Sequence, residues 1–136
     1  MRSDYFPLLE EANIDIKLDV WLYGALRLYA KGENQIGFAQ LAVTLPEGSC
    51  MRELLAKLEM PSKERGITFV NGNLSALPGF QPDLGHVFQD GDRVALFDLK
   101  SMWPFQYRNG AAMTDAMRQA IIDHPDQLIH HDHENS

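Results

Sequence analysis

From Ile14 to Tyr23 apolar and polar residues alternate without a break. Ile14, Ile16, Leu18, Val20 and Leu22 point one way, and Asp15, Lys17, Asp19, Trp21 and Tyr23 point the other. A period of two is the mark of a β-strand with one face in a core. The second face is polar at its start and aromatic at its end, where Gly24 closes the strand.

The residues that follow supply further elements. Lys31–Gly37 (KGENQIG) is a loop signal, and Phe38–Leu45 reads as a second strand with Leu41, Val43 and Leu45 on its core face. Two strands joined by a short loop form an antiparallel hairpin. Pro46-Glu47-Gly48 breaks the second strand. Met51, Leu54, Leu55 and Leu58 then fall at i, i+3, i+4 and i+7, the apolar stripe of a helix that ends before Pro61. Its N-cap is either Cys50, which puts Glu53 at the capping-box position, or Ser49, which has the better capping group but puts Arg52 there. Ile67–Val70 is a short strand, and Asn71-Gly72 is a tight-turn dipeptide. Residues 73–89, with Pro78, Gly79, Pro82 and Gly85, read as a long irregular connection. Asp90-Gly91 turns into a last strand, Arg93–Leu99. A helix placed between a hairpin and later strands indicates an α+β sheet with the helix on one face.

Composition narrows the function classes. The 136 residues fit one domain, and 45% hydrophobic content supplies a core. A net charge of −7 argues against general nucleic-acid binding, which needs a basic face. No apolar run approaches the ~20 residues of a membrane span, and the N-terminal stretch has no signal-peptide apolar region. The single cysteine, Cys50, excludes an internal disulfide and fits a reducing compartment, so the cytoplasm is the expected location.

Four local motifs in order carry a family resemblance. They are Val20–Arg27 (VWLYGALR), Gly48–Leu55 (GSCMRELL), Val70-Asn71-Gly72 and Asp90–Phe97 (DGDRVALF). Together, from about Ile16 to Leu99, they resemble the MoaD/ThiS family, the ubiquitin-like sulfur carriers of molybdopterin and thiamin biosynthesis. The resemblance implies a β-grasp of about four to five strands with one helix packed on the sheet, and with the first and last strands parallel at the sheet centre. It also implies a carrier whose C-terminal glycines are adenylated by an activating enzyme and then take sulfur as a thiocarboxylate. That chemistry needs a slim, flexible chain end, which glycine provides. Here the corresponding positions hold Ser101-Met102-Trp103-Pro104-Phe105, and the sequence runs on to Ser136 without a Gly-Gly pair.

The expected organisation is an arm over 1–13, the β-grasp over 14–100, a helical extension over 101–123 and a His-rich acidic tail over 124–136. Gly110 is the glycine that processing would have to expose in a carrier; otherwise it is a turn before the last helix. The open sheet face of a β-grasp would gather Trp21, Tyr23, Phe97 and Leu99, an apolar patch that needs either a cover or a partner. Met102, Trp103, Phe105, Met113 and Met117 are the anchors by which the extension would cover that face, within the chain or across a homodimer. Met113, Ala116, Met117, Ala120 and Ile121 form one helical stripe, which Asp123-His124-Pro125 ends.

Other candidates read more simply. Cys50 sits at a helix start, where a thiolate is favoured, but a lone cysteine is commonly a small apolar residue. His130-His131-Asp132-His133 could attract Zn²⁺, Ni²⁺ or Cu²⁺, but its spacing matches no closed zinc site, and a solvated tail is the plainer reading. Asp90 and Asp92 read as turn caps. No nucleophile–base grouping, zincin motif or P-loop occurs. The sequence therefore points to a non-enzymatic protein without metal or cofactor. It would be a MoaD/ThiS-like carrier that needs C-terminal processing and an activating enzyme, or an adaptor that docks on a larger enzyme through its sheet face, or a self-associating dimer module. Neither nucleic acid nor membrane is an expected partner.

Overall fold

The computed structural model describes residues 14–32, 34–35, 37–100 and 112–123. The alternating segment forms β1 (Asp15–Tyr23), with Ile16, Leu18, Val20 and Leu22 buried. A 3-10 turn over Gly24–Ala30 and the two-residue β2 (Asn34–Gln35) lead to β3 (Phe38–Pro46), which pairs antiparallel with β1 along its full length. Then come α1 (Met51–Leu58), β4 (Arg65–Val70), β5 (Asn73–Ala76), β6 (Arg93–Asp98) and α2 (Asp115–Asp123). The sheet has six strands in the order β2-β3-β1-β6-β4-β5. β1 and β6 are parallel neighbours at its centre, and the other pairings are antiparallel. This is an α+β β-grasp with an added C-terminal helix.

The expected stripe of α1 is buried in full: Met51, Leu54, Leu55 and Leu58 close over the β1, β3 and β6 core residues. Cys50 is the N-cap, and its backbone N–H donates to Glu53 Oε1 at 2.6 Å. The next two free N–H groups are also used. Met51 N–H donates to the His86 carbonyl and Arg52 N–H to the Leu84 carbonyl. The 84–86 segment thus caps the helix from outside it, which answers the need of every helix start for acceptors.

Two expectations for the middle of the chain need correction. The strand expected over Ile67–Val70 begins at Arg65, and the connection after it is not irregular throughout. Asn71 and Gly72 have φ of 52° and 82°. This is the left-handed pair that a two-residue hairpin turn demands, and it folds β5 back on β4. β5 adds strands beyond the four or five expected, together with the short β2.

The second face of the sheet carries its own small core. Met117 of α2 is fully buried with Ile67, Leu74 and Leu77, and Phe69, Phe97, Met113 and Ile121 pack around them. Backbone bonds tie the chain before α2 to the β5 edge: Leu74 N–H donates to the Ala112 carbonyl, and Thr114 N–H to the Leu74 carbonyl. Thr114 stands just before the helix, and its Oγ1 accepts the Met117 N–H at 3.2 Å. The expected α2 stripe holds for Met113, Met117, Ala120 and Ile121, whereas Ala116 faces solvent.

Candidate functional site: an aromatic groove on the open sheet face

The outward residues of β1, β6 and β4 meet on the face opposite α1. Register decides which ones touch. Trp21 lies beside Ala95 on β6, and Ala95 lies beside Phe69 on β4. A small residue between two large ones leaves a trough. The resulting groove has a volume of about 650 Å³ and is lined by Trp21, Tyr23, Phe69, Asn71, Gly72, Gly91, Arg93, Ala95 and Phe97.

Its walls are stacked rings. Trp21 stacks on Phe38 at 5.5 Å between centroids, and Tyr23 stacks on Phe97 at 4.4 Å. Phe97 meets Phe69 edge-on at 5.9 Å. Offset stacked and edge-to-face pairs are the favoured arrangements, each worth about 0.5–1.5 kcal/mol beyond burial. The five rings therefore form one ladder from β3 across to β4.

Polar groups close one end. The Arg93 guanidinium lies 5.8 Å from the Trp21 ring centre, and its Nε is 3.4 Å from Asp19 Oδ2. Asp19 also accepts from Gln40 Nε2 at 3.0 Å. The Gln40 bond, together with the Trp21 N–H and Arg93, holds the Asp19 carboxyl below its usual value. Burial raises the Tyr23 hydroxyl pKa above the ordinary phenol value, the Asp19 charge adds to that rise, and Arg93 opposes it. Trp21 Nε1 is shielded from solvent and makes no hydrogen bond of good geometry, although it lies near enough to Asp19 to act on that carboxyl. Asn71 fixes the groove floor to β6: its Oδ1 accepts the Arg93 N–H at 2.9 Å and its Nδ2 donates to Asp92 Oδ1 at 2.9 Å.

Of the residues expected on this face, Trp21, Tyr23 and Phe97 are brought together. Leu99 is not. Strand pairing ends with Asp98 opposite Arg65, and Leu99 lies in the following turn, 52% exposed. Met113 and Met117 anchor the extension, beside the groove rather than in it. Met102, Trp103, Phe105 and Gly110 lie outside the described residues, as do the 1–13 arm and the histidine tail. Asp92 caps its own turn by accepting the Gln89 N–H, whereas Asp90, expected to do the same, ties that turn to β1 by accepting the Lys17 N–H. Among the described residues no three His, Cys, Asp or Glu side chains gather as a metal site would require.

Sequence reasoning missed a second polar site. Arg65, fully buried, spends its guanidinium on Asp83, Gln81 and Thr68, and Asp83 also accepts from Ser75 Oγ at 2.9 Å. This network pins the 77–89 segment to β4 and so holds the carbonyls that cap α1. All five guanidinium N–H donors have an acceptor within reach. The network is closed, offers nothing to a ligand, and reads as structural.

The chain matches no protein-family model and no curated protein. Among the described residues no helix is long and apolar enough to cross a membrane.

Proposed function

We propose that this protein is a non-enzymatic β-grasp adaptor that docks on a larger protein through the aromatic face of its sheet. The observation that carries the reading is the ring ladder Phe38–Trp21–Tyr23–Phe97–Phe69, which spans four strands and leaves a groove between Trp21 and Phe69. Rings of this size on a sheet face are the usual anchors of protein interfaces, with aromatic side chains and arginine enriched at their centres. The groove has both, and its arginine is held by Asp19. The partner that fits offers apolar side chains to the trough.

The resemblance to MoaD/ThiS carriers supports a second reading, a sulfur carrier matured by cleavage after Gly110. A carrier works through a free end just beyond its last strand. In the uncut chain the residues after β6 return to the sheet, where Ala112 and Thr114 bond to β5 and Met117 is buried. The adaptor reading needs no cleavage, and for that reason it comes first.

Isolation from the native cell decides between them. A complex with one larger protein, lost when Phe97→Ala is introduced into a chain that still folds, is the outcome expected of an adaptor. A species ending at Gly110, heavier by the sulfur-for-oxygen difference, would establish the carrier instead. A free, full-length 15.4 kDa chain with no bound partner would overturn both.

A further inference from the structure

We propose that the groove selects an acidic segment of the partner. An extended stretch seats one large apolar side chain over Ala95 and sets an aspartate or glutamate, two residues away, on the Arg93 guanidinium. The inference rests on the adaptor reading and adds the chemistry of its partner.

Register builds the site in rows. Trp21, Ala95 and Phe69 stand side by side on β1, β6 and β4. The next row, toward the start of β6, is Asp19, Arg93 and Asn71. On the other side Phe97 closes the row, stacked on Tyr23. The alanine floor is thus walled by rings on three sides, and Arg93 stands at the fourth. Gly72 and Gly91 line that same end. A Cβ on either would meet no atom of the described residues within 4 Å, so no side-chain bulk narrows the approach there.

Among the described residues that line the groove, Arg93 alone carries a charge. Its side chain is 63% exposed, and its Nε faces Asp19 at 3.4 Å. None of the described residues accepts a hydrogen bond from its two terminal nitrogens. Those nitrogens form the planar fork that matches a carboxylate through two parallel bonds. Spacing fits as well. Ala95 and Arg93 are two residues apart on one strand, about 7 Å. Side chains i and i+2 of an extended peptide share a face at that same spacing. An apolar side chain on the alanine therefore brings the carboxylate to the fork without a bend.

The chain's net charge of −7 gives an acidic partner no long-range attraction. The choice of a carboxylate is made at contact, by the fork. Asp19 competes with the incoming carboxylate for the same guanidinium, and this sets the sign of the test.

Phage-displayed random peptides, selected against the full chain, supply the probe. Sequences lost on Phe97→Ala should carry a large apolar residue with Asp or Glu two positions away. Selection against Arg93→Glu should exchange that acid for Lys or Arg. With a synthetic peptide of the enriched sequence, calorimetry should show Arg93→Gln weakening binding about tenfold or more. Asp19→Asn should tighten it severalfold, with far-UV circular dichroism unchanged in both variants. Opposite signs from the two members of one ion pair exclude a merely structural role for the pair. Groove-dependent sequences without a fixed acidic position, or equal losses in the two variants, overturn the inference and leave the adaptor reading standing. The absence of any Phe97-dependent sequence also overturns it, and the complex from the native cell then decides the adaptor reading by itself.

Discussion

On the α1 side of the sheet a buried arginine has found a partner for each of its donors; on the opposite face, a tryptophan N–H has none of good geometry. Both sides are apolar, and both carry an arginine–aspartate pair. Arg65 and Asp83 lie fully buried, with side-chain exposure of 0% and 1%, whereas Arg93 and Asp19 are 63% and 35% exposed. The contrast separates two uses of the same residue types. The inner pair fixes the fold by pinning a long connection and, through it, the start of α1. The outer pair sits at one end of the groove, where the adaptor proposal places a partner. Burial with full satisfaction indicates architecture, whereas half-buried charges beside an apolar trough are what the adaptor proposal assigns to an interface.

The sharpest way to break this comparison is to cut the inner pair. Asp83→Ala strands a buried guanidinium and is expected to cost about 3–5 kcal/mol, measured by denaturant unfolding. Replacing both partners together, Arg65→Met with Asp83→Leu, should recover most of that loss, because the desolvation cost disappears with the charges. If Asp83→Ala is neutral, the network is not what pins the 77–89 segment. Met117→Ala comes next, with an expected loss of about 2–5 kcal/mol for a fully buried methionine. A change under about 0.5 kcal/mol, the level of surface sites, would mean that α2 is not part of the folded domain.

Much of this architecture was legible beforehand, and what was missed has physical causes. β1 and α1 were readable because each carries an unbroken period, two for Ile14–Tyr23 and three to four for Met51–Leu58. Trp21, Tyr23 and Phe97 could be placed on one face because the resemblance implied that the first and last strands are neighbours. Phe69 and Phe38 could not be joined to them without strand register. β5 was hidden because Asn73-Leu74-Ser75-Ala76 is short and buries residues on both faces, so no alternation marks it. Arg65 reads as one more surface charge after Lys63 and Glu64. Its partner lies 18 residues away in a connection with no periodic pattern, and no local spacing announces such a pair.

Smaller effects sharpen the outer half of the comparison. Phe97 stacks on Tyr23 but is only half-buried, so Phe97→Ala should cost about 1–2 kcal/mol, below the 3–5 of a fully buried phenylalanine. Its effect on partner binding should exceed its effect on stability; the reverse result would make the ladder ordinary packing. Asp19→Asn should matter least, under about 0.5 kcal/mol at neutral pH, because its pair is open to water. The sign of its pH dependence is fixed. A carboxyl whose folded pKa lies below the unfolded value near 3.8 contributes stability above that value and loses it as pH falls through the folded pKa. Acid titration of thermal stability should therefore be shallower below pH 3.8 in Asp19→Asn than in the parent chain.

The claim that the aromatic face is the interacting face can be tested in the native cell by placing a photo-crosslinking residue at Phe38, on the outer rung of the ladder, and at Lys57, exposed on α1. The expected result is a heavy adduct with one larger protein from position 38 and none from position 57. An adduct from position 57 alone, or from neither position, would contradict the account.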